Sequence, residues 1–174
     1  TALAEAFAQH SSIVLTPKVL KQKMNRWCCV LADAGITFHS YDTNHGHRVQ
    51  IGPKGPMIAD SHDIGGSLDL KEAFAQSSNV YFSTAVYEHY KNDPQRYVKF
   101  LSENLHLDRT VGLEAMGELQ SNLNDYKKGG KGYWSSHVLP NMGYGYTIEI
   151  SPIQTLTLYN AVANGGKMVA PRLI

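Results

Sequence analysis

A Ser-x-Asn step, Ser77-Ser78-Asn79, lies between two stretches of helical spacing. A hydroxyl and a carboxamide side by side at such a junction can act on a peptide. The hydroxyl can relay a proton, and the amide offers both a donor and an acceptor to a peptide-like substrate. The structural use of the same residue types is an N-cap on the second helix. His45-Gly46-His47, with Asp60 and His62, gathers imidazole and carboxylate groups that could ligate a metal. On a strand, His45 and His47 would share one face. Eight histidines in 174 residues produce such groupings without function, and no further ligand pattern joins this one. Asp60-Ser61-His62 has the residue types of a hydrolase triad, but contiguous residues seldom form one and no Gly-x-Ser-x-Gly elbow occurs. Tyr126, Tyr133, Trp134, Tyr144 and Tyr146 could stack on a ligand or close a loop over a core.

Helices and loops must position these groups. Residues 18–34 carry Val19, Leu20, Trp27, Val30 and Leu31 at near-helical spacing, with Gly35 as a stop. Glycine and proline interrupt residues 40–67, where loops with short strands such as Val49-Gln50-Ile51 are expected. Helices are predicted over 68–76 and from Val80 to Tyr90. Asp93-Pro94 is the start signal for another, with Tyr97, Phe100, Leu101 and Leu105 on its stripe. Residues 107–147 read mostly as an irregular connection. Ser151-Pro152-Ile153-Gln154 spells a capping box. The helix it opens is apolar on nearly every side and is expected to be buried, ending at Gly165-Gly166. Met168-Val169 and Leu173-Ile174 could begin a strand.

Composition narrows the classes. A hydrophobic share of 43% with 18% charged residues suits a chain that buries a core. The net charge of +1 gives no electrostatic case for nucleic acid or an acidic membrane surface. No apolar run reaches membrane-spanning length, and no signal peptide is visible. Cys28 and Cys29 are adjacent, which disfavours a disulfide, and two thiols alone make no zinc site.

The stretch from Gly66-Ser67-Leu68-Asp69 to Ala75-Gln76-Ser77-Ser78-Asn79 resembles the second conserved block of penicillin-binding proteins. Gly143-Tyr144-Gly145-Tyr146-Thr147, then Ser151-Pro152-Ile153-Gln154, then Ala163-Asn164-Gly165-Gly166, is similar to the later signature of the class B enzymes. Tyr41-Asp42-Thr43 with Asp60-Ser61-His62 resembles the block before the Ser-x-Asn helix. Thr110-Val111-Gly112-Leu113 to Gly117-Glu118 resembles the block after it. The four matches fall in order across residues 41–174. Family character begins at about residue 30, and residues 1–25 match nothing in the family. On this basis residues 1–174 read as a partial transpeptidase domain.

The resemblance implies an α+β fold of the serine β-lactamase and penicillin-binding transpeptidase kind, dominated here by the helical subdomain with an incomplete antiparallel sheet. It implies a D,D-transpeptidase that cross-links peptidoglycan and is acylated by β-lactams. Ser77 would join the proton-transfer network, and Asn79 would hydrogen-bond the substrate or β-lactam amide. These two are the implied catalytic residues, with Asn79 also the substrate-binding one, and Gly143–Gly145 would be scaffold at the site's edge. No metal or other cofactor is implied. The implied partners are a peptidoglycan stem peptide or β-lactam and other division or wall-synthesis proteins, with no nucleic acid. The parent would work on the periplasmic, extracytoplasmic side of a membrane, anchored outside this stretch, and the Gly-Tyr-Gly form leans toward cell division.

The family nucleophile is a Ser-x-x-Lys tetrad, and no serine of this chain has lysine three positions later. Lys21-Gln22-Lys23-Met24-Asn25 stands where the tetrad is expected. The third block, Lys-Thr-Gly, is absent too and is expected on a strand beyond Ile174. The oxyanion hole, which the family builds from both pieces, would go with them. The chain as given is expected to be inactive, through a shifted frame, a chimera or a degenerate paralogue. The alternatives are a non-catalytic scaffold or partner module of the same family and, behind it, a His/Asp metal-binding domain.

Overall fold

The computed structural model describes residues 39–113, 117, 118, 120–123 and 134–172. The helix expected over 18–34, both cysteines, Tyr126, Tyr133 and Leu173-Ile174 lie outside the described residues. The chain divides into two compact units, residues 39–94 with 134–146 and residues 95–123 with 147–172.

The first unit opens with loops that carry two-residue strands. Strand β1 (Tyr41–Asp42) is followed by a 3-10 turn over Asn44–Gly46, then β2 (Val49–Gln50), β3 (Met57–Ile58) and β4 (Ser67–Leu68). β1 pairs antiparallel with β4, placing Tyr41 opposite Leu68. β2 pairs antiparallel with β3, placing Val49 opposite Ile58. The inner side of the β2–β3 hairpin buries Ile51 and Ile58 against Val80, with Val49, Tyr87 and Tyr144 packed around them. At the hairpin turn, Gly52 has φ +81°, and a Cβ there would come within 2.5 Å of the Tyr87 ring. Glycine meets both requirements of that turn. His45 and His47 do not lie on a strand: His45 sits inside the 3-10 turn with φ 51°, so the expected shared face is lost.

Helix α1 (Leu70–Gln76) starts from a reciprocal cap. The Asp69 carboxylate accepts from the Glu72 amide at 2.8 Å, and the Glu72 carboxylate accepts from the Asp69 amide at 2.9 Å. Helix α2 (Asn79–Tyr90) is the unit's centre, burying Val80, Tyr81, Phe82, Ala85, Val86 and Tyr90. Its aromatic rings form an edge-to-face chain. Tyr41 meets Tyr81 at 5.2 Å, Tyr81 meets Phe82 at 5.3 Å, and Phe82 meets Phe74 of α1 at 6.5 Å.

Helix α3 (Pro94–Lys99) starts at the proline that signalled it and belongs mainly to the second unit. It runs straight into a π-helical turn over Phe100–Asn104, burying Tyr97, Val98 and Leu101. Residues 107–147 are not uniformly irregular, because Val138–Gly143 forms helix α4 in the first unit. Pro140 falls in the first turn of α4, where no intrahelical amide bond is required of it. The last glycine of α4, Gly143, is a contact residue: a Cβ there would lie 2.7 Å from the Phe82 carbonyl oxygen of α2. α4 thus lies backbone to backbone with α2, its main neighbour.

Helix α5 (Pro152–Ala163) begins with the expected capping box and a proline in its first turn. It is not buried all round. Leu156 is 63% exposed, while Thr155 and Thr157 are buried. Both threonine hydroxyls donate back to carbonyls of their own helix, Thr155 to Ser151 at 3.2 Å and Thr157 to Ile153 at 2.9 Å. With their polar atoms satisfied locally, threonines can face the interior and leave leucine to solvent. Gly165 and Gly166 turn the chain with φ 62° and 87°, and the Gly166 amide donates to the Ala161 carbonyl at 2.8 Å. Residues 167–172 form no strand; Met168 and Val169 are exposed and no other described strand pairs with them. No helix among the described residues is long and apolar enough to cross a membrane.

Two stability measurements check this packing. Gly143→Ala should cost about 1–3 kcal/mol, since two backbones must part, and an unchanged urea midpoint would refute the close approach. The Tyr81 phenol is buried and donates to the His39 carbonyl at 2.9 Å. Burial, then Tyr41 and Asp69 nearby, raise its pKa above the ordinary tyrosine value. The folded chain therefore keeps this proton after the unfolded chain has begun to lose it. Stability is fully present below about pH 10 and declines as pH rises beyond it. Tyr81→Phe should make the loss of stability between about pH 9 and about pH 11 shallower.

Candidate functional site

The Ser-x-Asn step forms the corner between α1 and α2. Ser77 ends α1 in the left-handed conformation, with φ 63° and ψ 40°. The Ser78 amide donates to the Ala73 carbonyl at 2.9 Å and the Ser77 amide to the Phe74 carbonyl at 3.2 Å. This is a Schellman closure, and Ser77 holds the position ordinarily given to glycine. A side chain there costs about 1–2 kcal/mol. Ser77 is half-buried, and its hydroxyl has no hydrogen-bond partner among the described residues.

Ser78 is the N-cap of α2 and is fully buried. Its hydroxyl oxygen accepts from the Tyr81 amide at 3.0 Å and its proton goes to Asp60 Oδ2 at 3.0 Å. The other oxygen of Asp60 accepts from the amides of Asn79 and Val80, the latter at 3.1 Å. Asn79 is half-buried, and its Nδ2 donates to the Ala59 carbonyl at 3.0 Å. Residues 59 and 60 therefore fix both the main chain and the side chain of Asn79. A carboxylate at a helix N-terminus also meets the positive end of the helix dipole.

Asp60 is the residue whose use here the sequence conceals. Its place among metal ligands or in a triad was the visible reading, and its carboxylate instead grips α2. His62 stands elsewhere: its Nδ1 lies 2.9 Å from the Ser61 hydroxyl and its Nε2 lies 3.4 Å from Gln76 Oε1, at the surface. His45 faces Asp63 at 3.7 Å, also at the surface. Among the described residues no three His, Cys, Asp or Glu side chains are grouped to hold a metal ion. A hint lay in Ser78, a cap residue directly before an apolar run; nothing local announces a partner 18 residues upstream.

The other motif segments are structural knots. Thr43 is buried, and its hydroxyl donates to the Gly65 carbonyl at 2.6 Å, joining β1 to the chain entering β4. In the second unit, the Glu118 carboxylate accepts from the amides of Val111, Gly112 and Leu113, the last two at 3.1 and 3.0 Å. Gln154 is buried in the same unit. It accepts from the Ser151 amide at 3.0 Å and from the Ser121 hydroxyl, and donates to the Arg109 carbonyl. Tyr144 and Tyr146 lie with their rings 4.9 Å apart, Tyr144 against the hairpin core and Tyr146 exposed.

The family model described as penicillin binding protein transpeptidase domain matches residues 32–174. The chain belongs to that family. No curated protein sequence matches it. Among solved structures, it is similar to the apo TP domain of Burkholderia pseudomallei penicillin-binding protein 3, with 18% identity and a TM-score of 0.65 over 88% of this chain and 43% of that one. A peptidoglycan glycosyltransferase from Burkholderia ambifaria gives 18% identity and a TM-score of 0.67 over 89% and 45%. Penicillin binding protein 3 from Mycobacterium tuberculosis, complexed with aztreonam, gives 19% identity and a TM-score of 0.64 over 89% and 32%. The chain thus spans less than half the length of these structures. Identities this low establish a shared fold: a helix-rich part of the transpeptidase architecture with short antiparallel strands.

Asp60→Ala should destabilise the chain by about 2–3 kcal/mol, since three donors lose a charged acceptor at once. Asp60→Asn keeps one carbonyl oxygen for the Asn79 and Val80 amides and should recover roughly half of that. Chemical denaturation of the three proteins measures both. Equal midpoints would show that the carboxylate does not anchor α2.

Proposed function

We propose that this chain carries the Ser-x-Asn side of a class B D,D-transpeptidase cleft and binds a peptidoglycan stem peptide or β-lactam there without being acylated. One observation carries the reading. Ser77 occupies a glycine position, at a conformational cost, with its hydroxyl unengaged by the described residues. Glycine would end α1 without that cost, so the hydroxyl is the reason for the strain. In this role Ser77 supplies the proton-relay hydroxyl, and Asn79, with its amide nitrogen tethered to Ala59, presents its carboxamide to a peptide-like amide. That a similar protein is seen complexed with aztreonam supports the choice of ligand.

No serine of the given sequence has lysine three positions later, which leaves it without the family's attacking group and base. The chain is therefore inactive as a transpeptidase. The parent protein acts in wall synthesis, with a division role favoured by the Gly-Tyr-Gly segment, on the extracytoplasmic side of a membrane that anchors it elsewhere in its sequence. A second reading has its own support. Asp60 and the Asn79 amide nitrogen are bonded inside the first unit, as in a corner serving only to join two helices. A scaffold or partner module would need no more than that.

Two measurements test these readings. A fluorescent penicillin should leave the chain without covalent label, and labelling would refute the loss of activity. Noncovalent aztreonam binding, followed by calorimetry, should weaken about tenfold in Asn79→Ala. Binding that is absent, or indifferent to Asn79→Ala, would favour the scaffold.

A further inference from the structure

Helix α5 ends at the one Asn-Gly step of the chain, Asn164-Gly165. Asparagine is chemically labile, and its carboxamide carbon is open to attack by the backbone nitrogen of the next residue. Glycine in that next position puts no side chain in the way. We propose that Asn164 is a site of spontaneous deamidation, and that the charge it gains opens the turn after α5.

The turn leaves the reacting atoms accessible. Residues 163–170 are all exposed. A Cβ built at Gly165 or Gly166 would meet nothing within 4 Å, so water and hydroxide can reach the reacting bond. The Gly165 amide has no hydrogen-bond partner among the described residues. Its neighbours are engaged: the amides of Asn164, Gly166 and Lys167 donate to the carbonyls of Asn160, Ala161 and Asn164 at 2.9, 2.8 and 3.2 Å. Asn164 stands at ψ 32° and must rotate before the ring can close. What holds it is a reciprocal pair at the surface, the Lys167 amide on the Asn164 carbonyl and Asn164 Nδ2 on the Lys167 carbonyl at 3.2 Å. Residues 167–172 pair with no described strand, so that hold is local and opens at little cost. Other asparagines are protected at the attacking atom. The Val80 amide after Asn79 is held by Asp60 at 3.1 Å, and the Asp93 amide after Asn92 by the Tyr90 carbonyl at 3.0 Å.

The reaction needs only water. The Gly165 amide gives up its proton, and its nitrogen bonds to Asn164 Cγ as the Cγ–Nδ2 bond breaks. Nδ2 leaves as ammonia, carrying the proton that the amide lost. Water then opens the cyclic imide at either carbonyl, giving aspartate or isoaspartate. The new carboxylate cannot donate to the Lys167 carbonyl, and it sets negative charge at the C-terminal end of α5, where the helix dipole is already negative.

Incubation of the full chain at mildly alkaline pH, followed by mass spectrometry of the tryptic peptide ending at Lys167, reads the reaction. Asn164 should gain the mass difference between a hydroxyl and an amino group, faster as pH rises because the amide must first lose its proton. Asn141 and Asn160, in the same peptide, should stay unchanged. Asn164→Gln, whose longer side chain disfavours ring closure, should abolish the gain. Asn164→Asp carries one product and should speed amide exchange at Gly166 and Lys167 about threefold. Deamidation of Asn164 only in urea, an equal rate at Asn141 or Asn160, or unaltered exchange in Asn164→Asp would each overturn the proposal.

Discussion

The Asp60 carboxylate at the start of α2 is the interaction on which the first unit turns. It joins one loop residue to two backbone amides and to the capping hydroxyl of Ser78. Ser78 cannot cap α2 from an ordinary helical continuation of α1, so the chain must reverse at the residue before it. Ser77 makes that reversal in the left-handed region. Once α2 is held this way, its buried side chains fall against β1, α1 and the hairpin, and Gly143 allows α4 to close on its backbone. The strain at Ser77 and the order of α2 are two faces of one constraint.

The segments that tie this chain to its family do comparable work elsewhere. Thr43, Glu118 and Gln154 each bind backbone groups from irregular chain, where no helix or sheet could satisfy them. A buried amide or carbonyl without a partner is costly, so a long loop must recruit a specific side chain for each one. That need produces short motifs with fixed residue types. Recognition of the family from such motifs rests largely on scaffold chemistry, which is why it can succeed where no Ser-x-x-Lys occurs in the sequence given.

Local signals explain what was legible. Ser151 to Gln154 spells its capping box, Pro94 opens its helix, and α2 announces itself by an apolar run. Longer-range causes were not visible. α4 contains a proline and ends in glycine, and its place against α2 outweighs its weak propensity. The burial of α5 follows hydroxyl back-bonding at Thr155 and Thr157, so apolar counting put Leu156 on the wrong side. Met168-Val169 has strand-like residues without a paired strand, and pattern alone does not supply one. The Ser-x-Asn pair was found from residue types, but the group that holds it came from 18 residues away.

The corner at Ser77 also bears on whether a cleft can outlast its chemistry. If the step existed only to join two helices, glycine at 77 would relieve the left-handed strain and leave the Ser78 cap and the Asp60 grip intact. The Ser77 side chain adds nothing to either bond network among the described residues, because the closures are made by the backbone amides of Ser77 and Ser78 and the Ser77 hydroxyl takes no part. Among the described residues of the first unit, the strain therefore has no structural return. That unreturned cost is the ground for the proposed ligand-facing role of the Ser77 hydroxyl, and the Ala59 carbonyl, which takes a proton of the neighbouring Asn79 carboxamide, holds that second group in place beside it.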